Sequence, residues 1–171
     1  PREAWWYYKK VAYEVGGFKV EYPMGKGIED GDDTFTYNVD KMIEIYDREK
    51  PRIVLIASPN NPTGNKISKE DLHRFLDACR GALVMIDEAY WGFGSMENDY
   101  VKPFLDEFPN LVICRTFSKY FGLAGLRIGY AFTGKNLEEL MNYTVRYLGF
   151  NRLSEKLGEI AYKDLHYNKK I

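Results

Sequence analysis

Lys119 closes the run Thr116, Phe117, Ser118, Lys119, and Arg127 follows eight positions later within GLAGLRIGY, residues 122–130. An amine just beyond an apolar strand can condense with a carbonyl once it is partly deprotonated, a state that desolvation and a neighbouring cation favour. Two hydroxyls behind the lysine and a guanidinium ahead of it suit a phosphate, because hydrogen bonds to ionised oxygens are the strong ones. The chemistry to which this spacing points is the capture of a phosphorylated carbonyl compound.

Such groups need elements to carry them. Five apolar, β-rich runs, at 18–22, 52–57, 82–87, 111–116 and 127–133, alternate with helical patterns. Between the second and third, Ser68 and Asp71 form a helix N-terminal signal, Leu72, Phe75, Leu76 and Cys79 share a face, and Gly81 stands where the helix should stop. Before that unit, Asn38 caps a helix whose Val39, Met42, Ile43 and Tyr46 line one side. Residues 82–86 are continuously apolar, as in a parallel strand covered on both faces. The fold class expected is α/β, a three-layer αβα sandwich with a mostly parallel sheet and one antiparallel strand. Two further helices are expected at 138–148 and 153–165, separated by Gly149, Phe150 and Asn151. The acidic run EDGDD, residues 29–33, lacks the ligand spacing of a calcium loop and reads as a solvated turn.

In an open parallel sheet, ligands sit outside the carboxyl ends of the strands. SPNNPTG, residues 58–64, follows the 52–57 run, Asp87 closes the 82–87 run, and Ser118 and Lys119 follow the 111–116 run. Only seven residues separate Arg127, which opens its strand, from Lys119, whereas a parallel crossover needs about a dozen or more residues. That strand should therefore run antiparallel to its predecessor, so that its beginning reaches the same edge and four distant segments meet at one patch. An aspartate ending an apolar strand, such as Asp87, requires a positive partner.

Composition narrows the partners. The chain has 171 residues, 45% hydrophobic and 29% charged, which suits one globular domain and excludes a disordered tail. Twenty-four basic against 25 acidic residues leave a net charge of −1, with no electrostatic footprint for nucleic acid or an anionic membrane. No apolar run approaches the roughly 18 residues of a membrane span, and PREAWW at the start has no secretory core. Cys79 and Cys114 are too far apart to suggest a disulfide framework or, with only His73 and His166, a metal centre. The expected setting is a reducing cytoplasm and the expected partner a small molecule. With no initiating methionine, the chain reads as a piece of a longer protein.

Three motifs carry a resemblance: SPNNPTG at 58–64, DEAY at 87–90 and TFSKYFGLAGLRIGY at 116–130. Their sequence and order resemble the fold type I, pyridoxal phosphate-dependent aminotransferases of classes I and II, most of all the subgroup of histidinol-phosphate aminotransferase and threonine-phosphate decarboxylase. The resemblance implies pyridoxal 5'-phosphate as cofactor, with Lys119 forming the internal aldimine and shuttling a proton, and Asp87 pairing with the pyridine nitrogen. It implies that Asn61 and Tyr90 hydrogen-bond the phenolic oxygen, and that Arg127, Thr116 and Ser118 grip the phosphate. Trp5 falls where relatives stack an aromatic on the ring, and Tyr8 matches a second aromatic of that motif. Transamination by ping-pong exchange in amino acid biosynthesis, and a homodimer with amino acid and 2-oxo acid substrates, follow from the same resemblance. A decarboxylase or lyase of the same fold would share every one of these residues. Residues 1–171 would then be part of the cofactor-binding large domain, lacking an upstream phosphate loop and a C-terminal small domain with its carboxylate-binding arginine, and inactive alone.

Each motif also has a plainer reading: Asp87 and Glu88 as a helix cap, Tyr90 as a core aromatic, the proline motif as an ordinary turn, and residues 5–8 as packing for a first helix. A nucleoside triphosphatase is a rival, since LVMIDEA at 83–89 resembles a Walker B strand and GYAFTGKN at 129–136 nearly matches a phosphate loop. Asn136 replaces the magnesium-binding hydroxyl there, and the order is inverted. A catalytically silent scaffold is the third class, and it has no use for Lys119.

Overall fold

A computed structural model describes residues 1–29, 32–96, 98–140, 142 and 151–164. The chain divides into two compact units, Pro1–Asp87 and Glu88–Ile171.

In the first unit, helix α1 (Tyr7–Glu14) is followed by an antiparallel pair, β1 (Gly25–Glu29) and β2 (Asp32–Thr36), in the register Gly25↔Thr36 to Glu29↔Asp32. Helix α2 (Val39–Glu49) starts where Oδ1 of Asn38 accepts the Lys41 amide at 3.0 Å, and it buries Val39, Met42, Ile45 and Tyr46. Strand β3 (Ile53–Ala57) leads into α3 (Lys69–Ala78), whose cap is the Ser68 hydroxyl, accepting the Asp71 amide at 3.0 Å. Leu72, Phe75, Leu76 and Cys79 are all buried, and α3 packs on α2. Burial pushes the Cys79 thiol up to about 12. Strand β4 (Leu83–Asp87) then pairs parallel to β3, Ile53↔Leu83 through Ala57↔Asp87. Its burial alternates, with Val84 and Ile86 buried and Leu83 and Met85 half-buried, so the continuous apolar run is not uniformly covered.

In the second unit, helix α4 (Val101–Glu107) precedes β5 (Leu111–Thr116) and packs on it through Val101 and Phe104. Pro103 lies in its first turn, where the missing N–H breaks no helical bond. Strand β6 (Gly129–Thr133) pairs antiparallel to β5, Val112↔Thr133 through Thr116↔Gly129, the direction expected from the short connection. Helix α5 (Arg152–Lys163) starts at Asn151, whose Oδ1 accepts the amides of Leu153 and Ser154 at 2.9 and 3.2 Å. Phe117, Tyr120, Phe121 and Ala161 form a second core, with Trp91, Ile128 and Tyr130 packed against it.

Three expectations need correction. No strand forms at 18–22: among the described residues no strand pairs with it, Phe18 is 99% exposed, and the hydrogen-bonded pair forms just downstream. Propensity without a neighbouring strand does not make a sheet. The acidic run read as a turn is not among these corrections: Glu29 ends β1, Asp32 and Asp33 open the antiparallel β2, and the two residues between lie outside the described residues. Strand β6 starts at Gly129, two residues after Arg127, because Arg127 is left-handed at φ 53° after the 3₁₀ turn Ala124–Leu126 and cannot belong to an extended strand; at Gly129 itself a Cβ would sit 2.6 Å from the Arg115 carbonyl oxygen. Of the helix expected at 138–148, the first residues belong to a 3₁₀ helix, Lys135–Leu140, and 143–148 lie outside the described residues, as do Leu165 and His166.

Candidate functional site

In the first unit, β3 and β4 end level with each other, Ala57 opposite Asp87, and the Ser58 amide donates to the Asp87 carbonyl at 2.9 Å. The 58–64 loop is tied to itself: the Gly64 amide donates to the Asn60 carbonyl at 2.8 Å, the Asn60 amide to the Asn65 carbonyl at 2.9 Å, and the Ser58 hydroxyl accepts the Ile67 amide at 3.1 Å. Its Ser58–Pro59 and Asn61–Pro62 peptide bonds are cis. Asn60 is the structural asparagine, 2% exposed, donating to the Glu3 carbonyl and the Thr63 hydroxyl at 2.6 Å each. Asn61, half-buried beside it, is the asparagine open to other partners.

The half-buried Asp87 carboxylate accepts the Tyr8 hydroxyl at 2.5 Å, a contact between residues 79 apart in sequence. Sequence reading had matched Tyr8 only as an aromatic; no local periodicity foretells the polar end of a ring meeting a strand terminus. Trp5 is 42% exposed, with its ring centroid 5.2 and 5.5 Å from those of Tyr7 and Tyr8. None of the residues of α1 is buried, so residues 5–8 do not serve as a packed core. Tyr22 and Tyr37 donate to the β3 carbonyls of Leu55 and Ala57, and burial raises both phenols above their ordinary range.

In the second unit, the paired ends Thr116 and Gly129 bracket the residues singled out from sequence. The Thr116 hydroxyl accepts the Ser118 amide at 3.1 Å and lies 3.4 Å from the Ile128 carbonyl. Lys119 is exposed, with Nζ 5.4 Å from the centroid of the Tyr90 ring, within the reach of a cation–π contact. Arg127 is exposed in the left-handed region at φ 53°, following the 3₁₀ turn Ala124–Leu126, and its Nη1 donates to the Ala124 carbonyl at 3.1 Å. An amine, two hydroxyls and a guanidinium therefore belong to one loop between two hydrogen-bonded strand ends. These are the group types that a phosphorylated carbonyl compound requires.

Behind this loop is a polar cluster that sequence reading missed. Arg115, 4% exposed, donates through Nε to the buried Glu88 carboxylate at 2.7 Å and through Nη1 to Asn98 at 2.8 Å; the Tyr100 hydroxyl also donates to Glu88. The guanidinium lies 4.0 Å over the Trp91 ring. A charge alternating into an apolar strand, as Arg115 does in LVICRT, was the available signal.

Among the described residues, no helix is long and apolar enough to cross a membrane.

The family described as aminotransferase class I and II matches residues 1–163. The chain belongs to this family. A histidinol-phosphate aminotransferase of Ruminiclostridium cellulolyticum is 41% identical over 144 residues, 84% of this chain and 38% of that relative. The crystal structure of histidinol-phosphate aminotransferase from Sinorhizobium meliloti in complex with pyridoxal-5'-phosphate aligns at a TM-score of 0.79 and 25% identity, over 98% of this chain and 44% of that one. A decarboxylase from Sulfurospirillum multivorans aligns at 0.66 and 25%, over 79% of this chain and 36% of its own. The chain thus spans about two fifths of the length of these three proteins. Its class is α/β with a mixed, mostly parallel sheet, the architecture of its class I and II structural neighbours.

Proposed function

We propose that the full-length protein is a pyridoxal phosphate-dependent aminotransferase, moving an amino group between an amino acid and a 2-oxo acid or related carbonyl compound. The observation that carries this reading is the exposed Lys119 amine, 5.4 Å from the Tyr90 ring, on the loop that also holds Arg127. Family membership and a structural relative in complex with this cofactor support it. The donor set suits the cofactor: an amine for its aldehyde, a half-buried carboxylate for its ring nitrogen, and a guanidinium with two hydroxyls for its phosphate.

When bound, pyridoxal phosphate supplies an electron-withdrawing ring. Lys119 holds the cofactor and carries a proton to and from the substrate carbon. Asp87 keeps the ring nitrogen protonated, which preserves that withdrawal. Asn61 and Tyr90 would hydrogen-bond the phenolic oxygen, Arg127, Thr116 and Ser118 would bind the phosphate, and Trp5 would contribute an aromatic contact to the ring. Residues 1–171 are part of the cofactor-binding large domain of a cytoplasmic homodimer with small-molecule substrates.

A second reading, amino acid decarboxylation, is favoured by the likeness to a decarboxylase over 79% of this chain. The full-length protein, loaded with pyridoxal phosphate, reduced with borohydride and digested, should carry the added mass on the peptide containing Lys119, and the Lys119→Ala variant should carry none. Histidinol phosphate, named in the relatives, is the first amino donor to offer with a 2-oxo acid. Amine transfer supports the first reading; with an amino acid in place of histidinol phosphate, which has no carboxylate to lose, carbon dioxide release without transfer supports the second, and a label on another lysine overturns both.

A further inference from the structure

Glu88 and Arg115 form a buried ion pair, with side chains 8% and 1% exposed. Burying two charges is expensive, and a buried pair is weak evidence for stability; apolar residues of the same volume often serve as well. What such a pair does provide is one geometry, because an arginine fork and a carboxylate dock in fixed directions. The question is what that geometry holds.

Glu88 begins a turn that Tyr90 occupies, and Arg115 sits in β5 immediately before Thr116. The Glu88 amide donates to the Cys114 carbonyl at 2.8 Å, and the Trp91 amide closes the turn on the Glu88 carbonyl at 2.8 Å. The Arg115 guanidinium covers Trp91 at 4.0 Å while holding Glu88 at 2.7 Å, so it clasps both ends of the turn. On the far side of Tyr90, Gly92 has φ 103°, and a Cβ there would lie 2.4 Å from Cγ of Tyr120, one residue after Lys119. Segments 88–93 and 115–120 are thus locked together at a buried end by charge and at the other by close packing. Between these locks, the Tyr90 ring and the Lys119 amine face each other.

We infer that the Glu88–Arg115 pair is a positioning device that sets Tyr90 relative to Lys119. This rests on the reading of those two residues as cofactor contacts. Neither Glu88 nor Arg115 is a catalytic residue in this account, as both act through the turn.

The test uses the full-length protein with pyridoxal phosphate. Arg115→Lys keeps the charge but loses the fork and the stacking on Trp91; Glu88→Gln keeps the shape and removes the charge. In both, kcat should fall about tenfold or more with KM changed far less, as small misplacements of reacting groups do. The visible circular dichroism of the bound cofactor, per unit of its absorbance, should change, because that ratio reports how the ring is held. A purely structural role would lower absorbance, dichroism and rate together in proportion to the folded fraction, and that result would overturn the inference, as would unchanged kcat and dichroism. If one variant fails to fold, the other carries the test. Failure of the underlying reading is separate: it appears as an unlabelled Lys119 in the parent protein after borohydride reduction, whatever the two variants do.

Discussion

The Tyr8 hydroxyl donates to Oδ2 of Asp87 at 2.5 Å, joining the first helix to the end of β4. Tyr8→Phe should cost about 1.5 to 2 kcal/mol, the lower part of the range for hydrogen bonds to charged groups because Asp87 is only half-buried. Urea unfolding of the full-length protein measures it, and a midpoint unchanged from the parent would show the contact to be energetically idle.

Asp87 and Arg127 should separate by kinetics. Asp87→Ala is expected to lower turnover by about a hundredfold, as loss of a group aimed at developing charge does, while cofactor content stays near that of the parent. Arg127→Ala should instead weaken cofactor binding by roughly tenfold to a hundredfold, the equivalent of about 1.5 to 3 kcal/mol for a charge-assisted contact. Equilibrium dialysis against pyridoxal phosphate together with steady-state rates tests both, and a reversal of the two phenotypes would contradict the assigned roles.

Two glycines should behave oppositely on substitution by alanine. Gly92 combines φ 103° with a ring 2.4 Å from the position of its missing Cβ, so Gly92→Ala should destabilise by about 2 kcal/mol or more. Gly125 has open space and no positive φ, so Gly125→Ala should be neutral or gain about 0.5 kcal/mol. Thermal melts of the pair provide the comparison.

At the N-terminus of α3, Ser68→Ala removes the acceptor of the Asp71 amide and should cost about 1 kcal/mol. Ser68→Asp, which keeps an acceptor, should restore most of it. Equal losses in the two variants would deny the cap its role.

The Cys79 thiol predicts a loss of stability on the alkaline side. Burial raises it from near 9 to about 12. Above the lower value the unfolded chain gives up a proton that the folded chain keeps, so stability falls as pH rises from about 9 toward 12 and is fully present below that window. Tyr22 and Tyr37, raised by burial, act in the same direction at higher pH. Urea midpoints of the parent and Cys79→Ala across this range should converge as pH rises; parallel curves would count against the thiol.

Much of this architecture could be read from residue order because local and tertiary signals agree. Asn38 and Ser68 cap helices where expected, and β5 and β6 run antiparallel as the short link between them demanded. The strand at 18–22 failed because alternation specifies a face but not a partner. That Ser118, Lys119 and Arg127 share one connection between paired strand ends was legible from spacing, whereas Tyr8 on Asp87 and Arg115 on Glu88 depend on contacts 79 and 27 residues apart in sequence. Such long-range polar pairings leave no period in the sequence.

The ladder that sets Thr116 opposite Gly129 has an evolutionary corollary. A slip of one residue would turn every alternate side chain of either strand to the opposite face. Loops elsewhere diversify by insertion and deletion, but a segment anchored by such a ladder at both ends is poorly placed to do so. Descendants of this protein that acquire new specificities should therefore keep the length of 117–128 and vary its identities instead.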